Sequence, residues 1–329
     1  MPRVDIVIPN WNGLRYLPDC LTALQAQIFR DFSIWLVDNG SIDGSVEWVR
    51  SHAPQVNLLT NSVNRGFAAA NNQAIRAGCA PYIATLNNDT VADPDWLAEL
   101  IGALEADEQL GAAASLMVFA DRPAMINSAG IAVDRLGIAW DRLGGRPVTD
   151  GEDTPTPVFG ACAGAALYRR AMLEEIGLFD EDFFAYLEDV DLAWRAQWAG
   201  WSAVFVPSAR VVHHHSATGG EGSPFKRRLL GRNKVWLILK NYPLPYLWLY
   251  WPLIWGYDAA AVARALVLGQ AAGAVSGRWH GWLAARRAWR KRRCLLRRRS
   301  AKQIWAQLAA VQPPHAVLAR YRHLQPDIR

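Results

Sequence analysis

Cysteine is scarce in this chain. There are four in 329 residues, at 20, 79, 162 and 294, far apart and without a CxxC pair. That spacing offers neither a disulfide framework nor a zinc site, and it suits a reducing cytosol. The glycine-rich phosphate loops are also missing. No GxGxxG follows the first strand-like run and no GxxxxGKS or GxxxxGKT occurs, which disfavours dinucleotide and P-loop readings. The chain passes from Met1-Pro2-Arg3 straight into a strand pattern, so no secretory leader is expected. No apolar run reaches membrane-spanning length. Tyr246 to Tyr257 is too short, and Asp258 and Arg264 interrupt any extension to Val275. Acid is absent from Arg278 to Arg299, a stretch that holds ten Lys and Arg (278, 286, 287, 290–293, 297–299). The formal net charge of +5 therefore belongs to the tail. With 51% hydrophobic and 20% charged residues the chain is one that folds, and its length predicts one large domain plus an appendage.

What is present is a repeating strand–turn–helix pattern. Strand-like runs at Val4–Pro9, Phe32–Val37, Val56–Thr60 and Tyr82–Leu86 alternate with helical segments at Leu14–Ile28, at Val46–Val49 behind a Ser45 cap, and at Ala68–Ala77. Such units predict an α/β fold with a parallel, doubly wound sheet and right-handed crossovers. Polar residues gather where each strand ends: Asn10, Asp38, Asn64 and Asp89. In an open sheet these ends lie on one side, near the switch in strand order, and converge on one ligand of nucleotide type. The central stretch is Tyr82–Thr90, an apolar strand that changes abruptly into Asn87-Asn88-Asp89-Thr90. Asp89 stands where a hard cation or a diphosphate-bearing ligand wants an oxygen. A turn formed by Asn and Asp for local reasons is the alternative.

Asp93-Pro94-Asp95-Trp96 opens a further helix and Ala112–Phe119 reads as a strand. Residues 120–157 read as a hairpin or loop excursion able to shape an acceptor pocket. The small residues of Gly160–Ala166 permit close backbone approach ahead of a helix at Arg170–Ile176. Glu188, Asp189 and Asp191 crowd a helix start beside Phe183, Phe184 and Tyr186. Acids favour that end of a helix, and Asp191 can pair with Arg195 at i+4. Three carboxylates next to aromatics also suit holding one of them as a proton acceptor. His213-His214-His215 follow the strand-like Ala203–Val206. Side chains alternate along a strand, so at most two of the three face one site, with metal ligation and a structural role both open.

Taken in order, four pieces carry a resemblance: Val37-Asp38-Asn39-Gly40-Ser41 with Asp43-Gly44-Ser45; Asn64-Arg65-Gly66-Phe67-Ala68 with Asn71-Asn72; Leu86-Asn87-Asn88-Asp89-Thr90; and Gly177–Glu181 leading into Glu188–Leu192. Over residues 4 to 220 the chain resembles inverting family-2 glycosyltransferases of the glycosyltransferase A fold, close to bacterial rhamnosyltransferase-like members. The resemblance implies that Pro9, Asn10, Asn12 and Asp38 hold the base and ribose, and that Asn64, Gly66 and Phe67 line the donor pocket. Asn87-Asn88-Asp89 stands at the place of the family's DxD motif. Asp89 would be the carboxylate for Mg2+ or Mn2+, and Asn87 replaces the leading Asp, one charge less for holding a cation without donor. His213 stands where relatives place a metal-binding histidine, with His214 or His215 as fallback. Asp189 would be the general base, supported by Glu188 and Asp191.

The activity so implied is sugar transfer from dTDP-rhamnose or a UDP-sugar to a glycan or lipid-linked acceptor in cell-surface polysaccharide synthesis. Residues 1–222 would be the catalytic domain and 223–329 a helical, aromatic and Arg-rich extension. Trp and Tyr suit the headgroup region and the arginines suit an anionic leaflet, so peripheral attachment to the cytoplasmic membrane face is expected. A solvated basic helix packed on the catalytic domain is the alternative, and no nucleic-acid partner is expected. A nucleotidyltransferase would want a basic loop after the first strand, and Asn10-Trp11-Asn12-Gly13 lacks one. A membrane-surface sugar-binding protein with a decayed site is opposed by the intact Asp38, Asp89, Asp189 and candidate histidine.

Overall fold

The computed structural model describes residues 1–214 and 223–320. Its opening repeat runs β1 (Val4–Asn10), α1 (Leu17–Gln25), β2 (Phe32–Asp38), α2 (Ser45–His52), β3 (Asn57–Thr60), α3 (Phe67–Ala77) and β4 (Tyr82–Leu86). The four strands pair in parallel in the order β4-β1-β2-β3. Side chains alternate along β1 as a pleat requires. Val4, Ile6 and Ile8 pack with α1 and α2 on one face, and Val7 packs under α3 on the other. Two local expectations move. The first helix begins at Leu17, with Pro18 in its first turn, and not at Leu14. Ser45 is the first helical residue of α2 and not its cap; Gly44, at φ +87°, holds that position. The Ser45 hydroxyl instead donates to Asp43 Oδ1 at 2.6 Å.

The chain continues through β5 (Thr90–Ala92), α4 (Trp96–Glu105), β6 (Leu110–Phe119), β7 (Ile126–Ser128), a hairpin of β8 (Ile131–Val133) and β9 (Ala139–Asp141), β10 (Thr156–Val158), β11 (Ala165–Arg169), α5 (Arg170–Ile176), α6 (Glu188–Ala199) and β12 (Ser202–His213). The full sheet is ordered β10-β12-β6-β11-β4-β1-β2-β3, with β5 pairing β12 and β7 pairing β6. It is mixed, because β11 enters antiparallel between β4 and β6. The reading of Gly160–Ala166 as a small-residue approach missed this strand. It is five residues long and runs directly into α5, so it offers almost no alternation to detect.

Among the described residues six helices follow: α7 (Pro224–Asn241), α8 (Leu244–Val267), α9 (Ala271–Leu283), α10 (Ala285–Arg293), α11 (Ala301–Gln307) and α12 (Pro314–Arg320). They do not stand apart from the sheet. Leu192 of α6 packs toward the sheet. Val190, Trp194 and Trp198 pack with Leu237, Ile238, Tyr242 and Ile304 from beyond residue 223. Much of the basic stretch is likewise structural. Arg278 pairs with the buried Asp258 at 2.7 Å, which also takes Lys234 at 2.9 Å. Arg292 is buried and donates to the Leu239 carbonyl at 3.0 Å. The backbone amides of Arg298 and Arg299 donate to the Trp198 carbonyl at 2.8 and 3.1 Å, and Arg299 reaches the Gly200 carbonyl at 2.9 Å. These groups satisfy the negative end of α6. Among the described residues no helix is long and apolar enough to cross a membrane.

Candidate active site

The carboxyl edge of the parallel strands carries a continuous polar chain. The amide of Asn88 donates to Asn10 Oδ1 at 2.7 Å, and Asn10 donates to Asp38 Oδ2 at 2.9 Å. Asp38 Oδ1 accepts from the backbone of Gly40 and Ser41 at 3.1 and 2.9 Å, which shapes the turn after β2. Asn12, in the left-handed region at φ 51°, ties to the same turn: its amide donates to Ser41 Oγ at 2.8 Å and its Oδ1 accepts from Ile42 at 2.9 Å. Pro9 sits in register with Val37 of β2. Asn64 Oδ1 accepts from the Gly66 amide at 2.9 Å. Gly66 has φ +89°, and a Cβ there would lie 2.6 Å from the Phe184 carbonyl oxygen. Gly66 and Phe67 therefore abut the loop that leads into α6.

Strand register explains the pairing at Asp89. β12 runs beside β6 through an irregularity between Val206 and Arg210, then pairs with β5 so that His213 faces Thr90. His213 Nε2 thereby lies 3.3 Å from Asp89 Oδ1. On the far side of the ring Nδ1 meets Asn127 Oδ1 at 2.7 Å, so Nε2 is the nitrogen aimed at Asp89, donating to it when it carries a proton and able to ligate when it does not. Burial opposes ionisation of Asp89, but the hydrogen bond and charge of His213 outweigh it and hold the carboxyl below its ordinary range. One hard oxygen and one oriented imidazole could hold a divalent cation together with ligand oxygens. Among the described residues no group of three or more His, Cys, Asp or Glu could hold a metal alone, so a cation at this pair would depend on a bound ligand. His214 is exposed, its ring 5.1 Å from that of Tyr16, and His215 lies outside the described residues.

Asp189 opens α6, partly exposed, and accepts from the Ala163 amide at 3.2 Å. The neighbouring Gly164 carbonyl accepts from the Asn87 amide at 2.8 Å. Two hydrogen bonds therefore link the Asn87-Asn88-Asp89 turn to Asp189 through Ala163 and Gly164, just ahead of β11. Burial raises the Asp189 carboxyl to about 6. Glu188 is pushed well above its ordinary range, by burial first and by the Asp189 charge second, and its buried Oε2 has no hydrogen-bond partner. Burial thus favours the uncharged form of both carboxyls, and each one's charge raises the other's cost of ionising. Asp191 is fully buried and does not reach the cleft. Its oxygens take Arg195, Lys240 and Asn241, each at 2.8 Å. Burial penalises its charge, yet Lys240 and Arg195 hold it below the ordinary range.

Three residues that sequence reasoning passed over complete the frame. The loop before Asp189 holds Phe184, Tyr186 and Leu187 at φ 65°, 68° and 66°. Such backbone persists only where its surroundings impose it. Asn233 imposes it: its buried amide reaches the carbonyls of Phe183, Ala185 and Tyr186 at 3.0, 2.9 and 2.7 Å. Arg232 adds bonds to the Asp182 and Phe183 carbonyls at 3.0 and 2.7 Å. Asn127 was hidden in the 120–157 excursion, where no motif marks it. Arg232 and Asn233 carried only the general signal of polar residues on an otherwise apolar helix face.

Residues 5–177 match the family model described as Glycosyl transferase family 2. The match ends before Asp189 and His213. Among curated proteins the chain is similar to an N-acetylglucosaminyl-diphospho-decaprenol L-rhamnosyltransferase of Mycobacterium tuberculosis, 32% identical over 66% of this chain and 78% of the relative. It is also similar to an O-antigen biosynthesis protein of Myxococcus xanthus, 30% identical over 66% of this chain and 18% of that protein. Among solved structures, a Pyrobaculum calidifontis mannosyltransferase in complex with GDP-Man and Mn2+ superposes at TM-score 0.54 and 21% identity, covering 93% of this chain and 88% of the other. GalNAc-T7 with UDP, GalNAc and Mn2+ superposes at TM-score 0.58 and 17% identity, covering 72% of this chain and 48% of that structure, so the chain spans about half of it. These likenesses bear on the fold.

Proposed function

The chain belongs to glycosyl transferase family 2, and on that footing we propose how its site performs sugar transfer. It is a glycosyltransferase, homologous to a rhamnosyltransferase of cell-wall synthesis. The donor is a nucleotide-sugar, dTDP-rhamnose or a UDP-sugar. The acceptor is a glycan or a lipid-linked sugar, the class the mycobacterial relative's name carries.

The donor base and ribose lie against Pro9, Asn10, Asn12 and Asp38. The sugar end lies beside Asn64, Gly66, Phe67, Asn87 and Asn88. Asp89 and His213 hold Mg2+ or Mn2+, and both solved relatives carry Mn2+ with their nucleotide ligands. The bound cation supplies neutralisation of the charge that develops on the diphosphate. Asp189, ionised near neutral pH, takes the proton of the acceptor hydroxyl as that oxygen bonds to the anomeric carbon. The bond from that carbon to the diphosphate oxygen breaks on the opposite face, its electron pair leaves with the nucleoside diphosphate, and the anomeric centre inverts. Glu188, buried at the helix start beside Asp189, supports that carboxyl from behind. Asp191 positions α6. The observation that carries this reading is the hydrogen-bonded link from the Asp89 turn through Gly164 and Ala163 to Asp189.

Residues 1–222 carry the chemistry. Residues 223–329 hold α6 and bring the protein to the cytoplasmic face of the membrane. The test is a panel of nucleotide-sugars screened by thermal shift with Mn2+ or Mg2+, for the wild type and Asp89→Ala. A donor that stabilises only the wild type, and only with cation, supports the reading. No stabilisation across dTDP-, UDP- and GDP-sugars would sink it in favour of a decayed site.

A further inference from the structure

Helix α8 presents an outer face that water does not explain. Its exposed positions from 245 to 263 include Trp248, Leu249, Pro252, Leu253, Gly256 and Ala260, at helical spacing, and none in that span is polar. Trp248 and Leu249 are 67% and 69% exposed. The one charge there, Asp258, is turned inward to Lys234 and Arg278. A helix on the surface of a water-soluble domain puts polar residues outward. At 24 residues α8 extends about 36 Å, long for an unpartnered apolar stripe. The neighbouring α9 continues the surface with exposed Val275, Trp279, Trp282 and Leu283. Trp282 packs on Trp255 of α8 at 4.8 Å between ring centres, so the two helices form one face.

Charge and position say what covers it. Arg264 near one end, and Arg286, Arg290 and Arg293 just past the other, are exposed and form no ion pair among the described residues. A flat apolar face flanked by uncompensated cations complements an anionic phospholipid surface. The face is also oriented. Gly273, Gly277 and Gly281 press α9 onto α7 so closely that added Cβ atoms would lie 2.7, 2.2 and 3.1 Å from the carbonyl oxygens of Pro224, Arg228 and Arg232. The two helices therefore run side by side in the same direction. The α8–α9 turn, with exposed Leu266, Val267 and Leu268, thus falls at the end of α7 where Phe225 meets Phe184 at 6.0 Å. Phe184 belongs to the loop that leads into Asp189.

We propose that the outward faces of α8 and α9 are a bilayer-docking surface for anionic phospholipid, with the Leu266–Leu268 turn placed beside the loop of the transfer site. This deepens the membrane-facing part of the function proposed above and rests on it. The arginine-rich α10 serves here as a flank, since several of its cations are taken up inside the protein.

Flotation of the full chain with phosphatidylglycerol–phosphatidylcholine vesicles tests the surface. The wild type should float with the mixed vesicles and much less with phosphatidylcholine alone. The triple variant Leu249→Glu, Leu253→Glu, Trp279→Glu, all exposed positions, should lose vesicle binding by at least about tenfold with an unchanged melting curve. A wild type that stays in the unbound fraction overturns the proposal, as does a triple variant that floats normally. A wild-type dimer in light scattering that the triple variant dissolves would assign the face to a second copy and overturn it too. Release of nucleoside diphosphate from the donor without vesicles reads the transferase assignment separately. Turnover without flotation discards the surface and keeps the enzyme, while flotation without turnover does the reverse.

Discussion

His213 Nε2 stands 3.3 Å from Asp89 Oδ1, although 124 positions of sequence separate the two residues. β5 and β12 place them together, and Asn127 turns the ring. Either partner alone leaves too few protein ligands for a cation.

Replacement of Asp89 or His213 by Ala should therefore abolish the Mn2+-dependent stabilisation by a nucleoside diphosphate. At a ligand concentration of about 100 Kd the wild type gains about 2.7 kcal/mol, a rise of several degrees in Tm. Differential scanning fluorimetry with dTDP or UDP reads it. A variant that keeps the full cation-dependent shift would remove its residue from the site.

Asp189→Asn should lower kcat by about 10²- to 10⁴-fold and leave donor affinity nearly unchanged. In the wild type, kcat/KM should fall as pH drops through about 6, where burial places the Asp189 carboxyl and its protonation removes the base. Stability carries the opposite sign. The folded carboxyl titrates above the ordinary 3.8, so its ionised form is penalised in the fold, and that cost appears as pH rises between the two values. Asn lacks the cost, so the variant should be more stable at pH 7, on the order of 1 kcal/mol after allowance for partial exposure, with the gain vanishing near pH 4. Urea melts at both pH values check this.

Asn233→Ala removes the donor shared by the Phe183, Ala185 and Tyr186 carbonyls. We expect a stability loss of about 1–3 kcal/mol. We also expect a fall in kcat of at least about tenfold and a smaller change in donor KM, because the loop carries the base and also touches Gly66. The acidic limb of kcat/KM should shift with it. If kcat and KM are both unchanged in the folded fraction, Asn233 only stabilises.

Lys240 lies 2.7 Å from Asp180 Oδ2 and 2.8 Å from Asp191 Oδ2; Lys240 and Asp191 are buried and the Asp180 side chain is only 7% exposed. Lys240→Met leaves two desolvated carboxylates and should cost about 3–5 kcal/mol at pH 7. Both carboxyls are held below their ordinary range in the fold despite burial, Asp180 by Lys240 and Lys291 and Asp191 by Lys240 and Arg195, so the wild type keeps their stabilisation above the ordinary value and loses it as pH falls. The variant should lose less on acidification, so the gap between the two proteins narrows only as pH falls below the ordinary carboxyl value of 3.8. An equal gap at pH 7 and at the lowest pH where both proteins still fold, well below 3.8, would rule out the charge network as the cause.

The first ninety residues were legible because each strand there is apolar, each turn is polar and each helix keeps its period. Asn10, Asp38 and Asp89 could be named because a parallel sheet sends every strand end to one side. β11 was not legible, since Ala165–Arg169 has neither the length nor the alternation of a strand and owes its place to pairing on both sides. Glu188, Asp189 and Asp191 were visible as a cluster, and the i,i+4 spacing foretold the pair of Asp191 with Arg195. Burial and partners separate Asp189 from Asp191, and those partners come from α7, far along the chain. Asn233 and Lys240 act through backbone carbonyls and a buried charge, and neither leaves a pattern in sequence. The arginine run was read as an outward charge, whereas Arg278, Arg292 and Arg299 turn into the protein because carbonyls and Asp258 wait there for them.

The grip on α6 has a consequence for synthesis on the ribosome. Strands β1 to β12 emerge first, and with them Asp89 and His213 can already meet. The helix that carries Asp189 still lacks Asn233 before its first turn, Lys240 within that turn at Asp191 and Arg298 and Arg299 at its far end. Chains fold broadly in the order they are made. On the roles proposed above, a nascent chain would have its cation-binding pair before its base, and would become a catalyst only once α7 to α10 have been translated and docked.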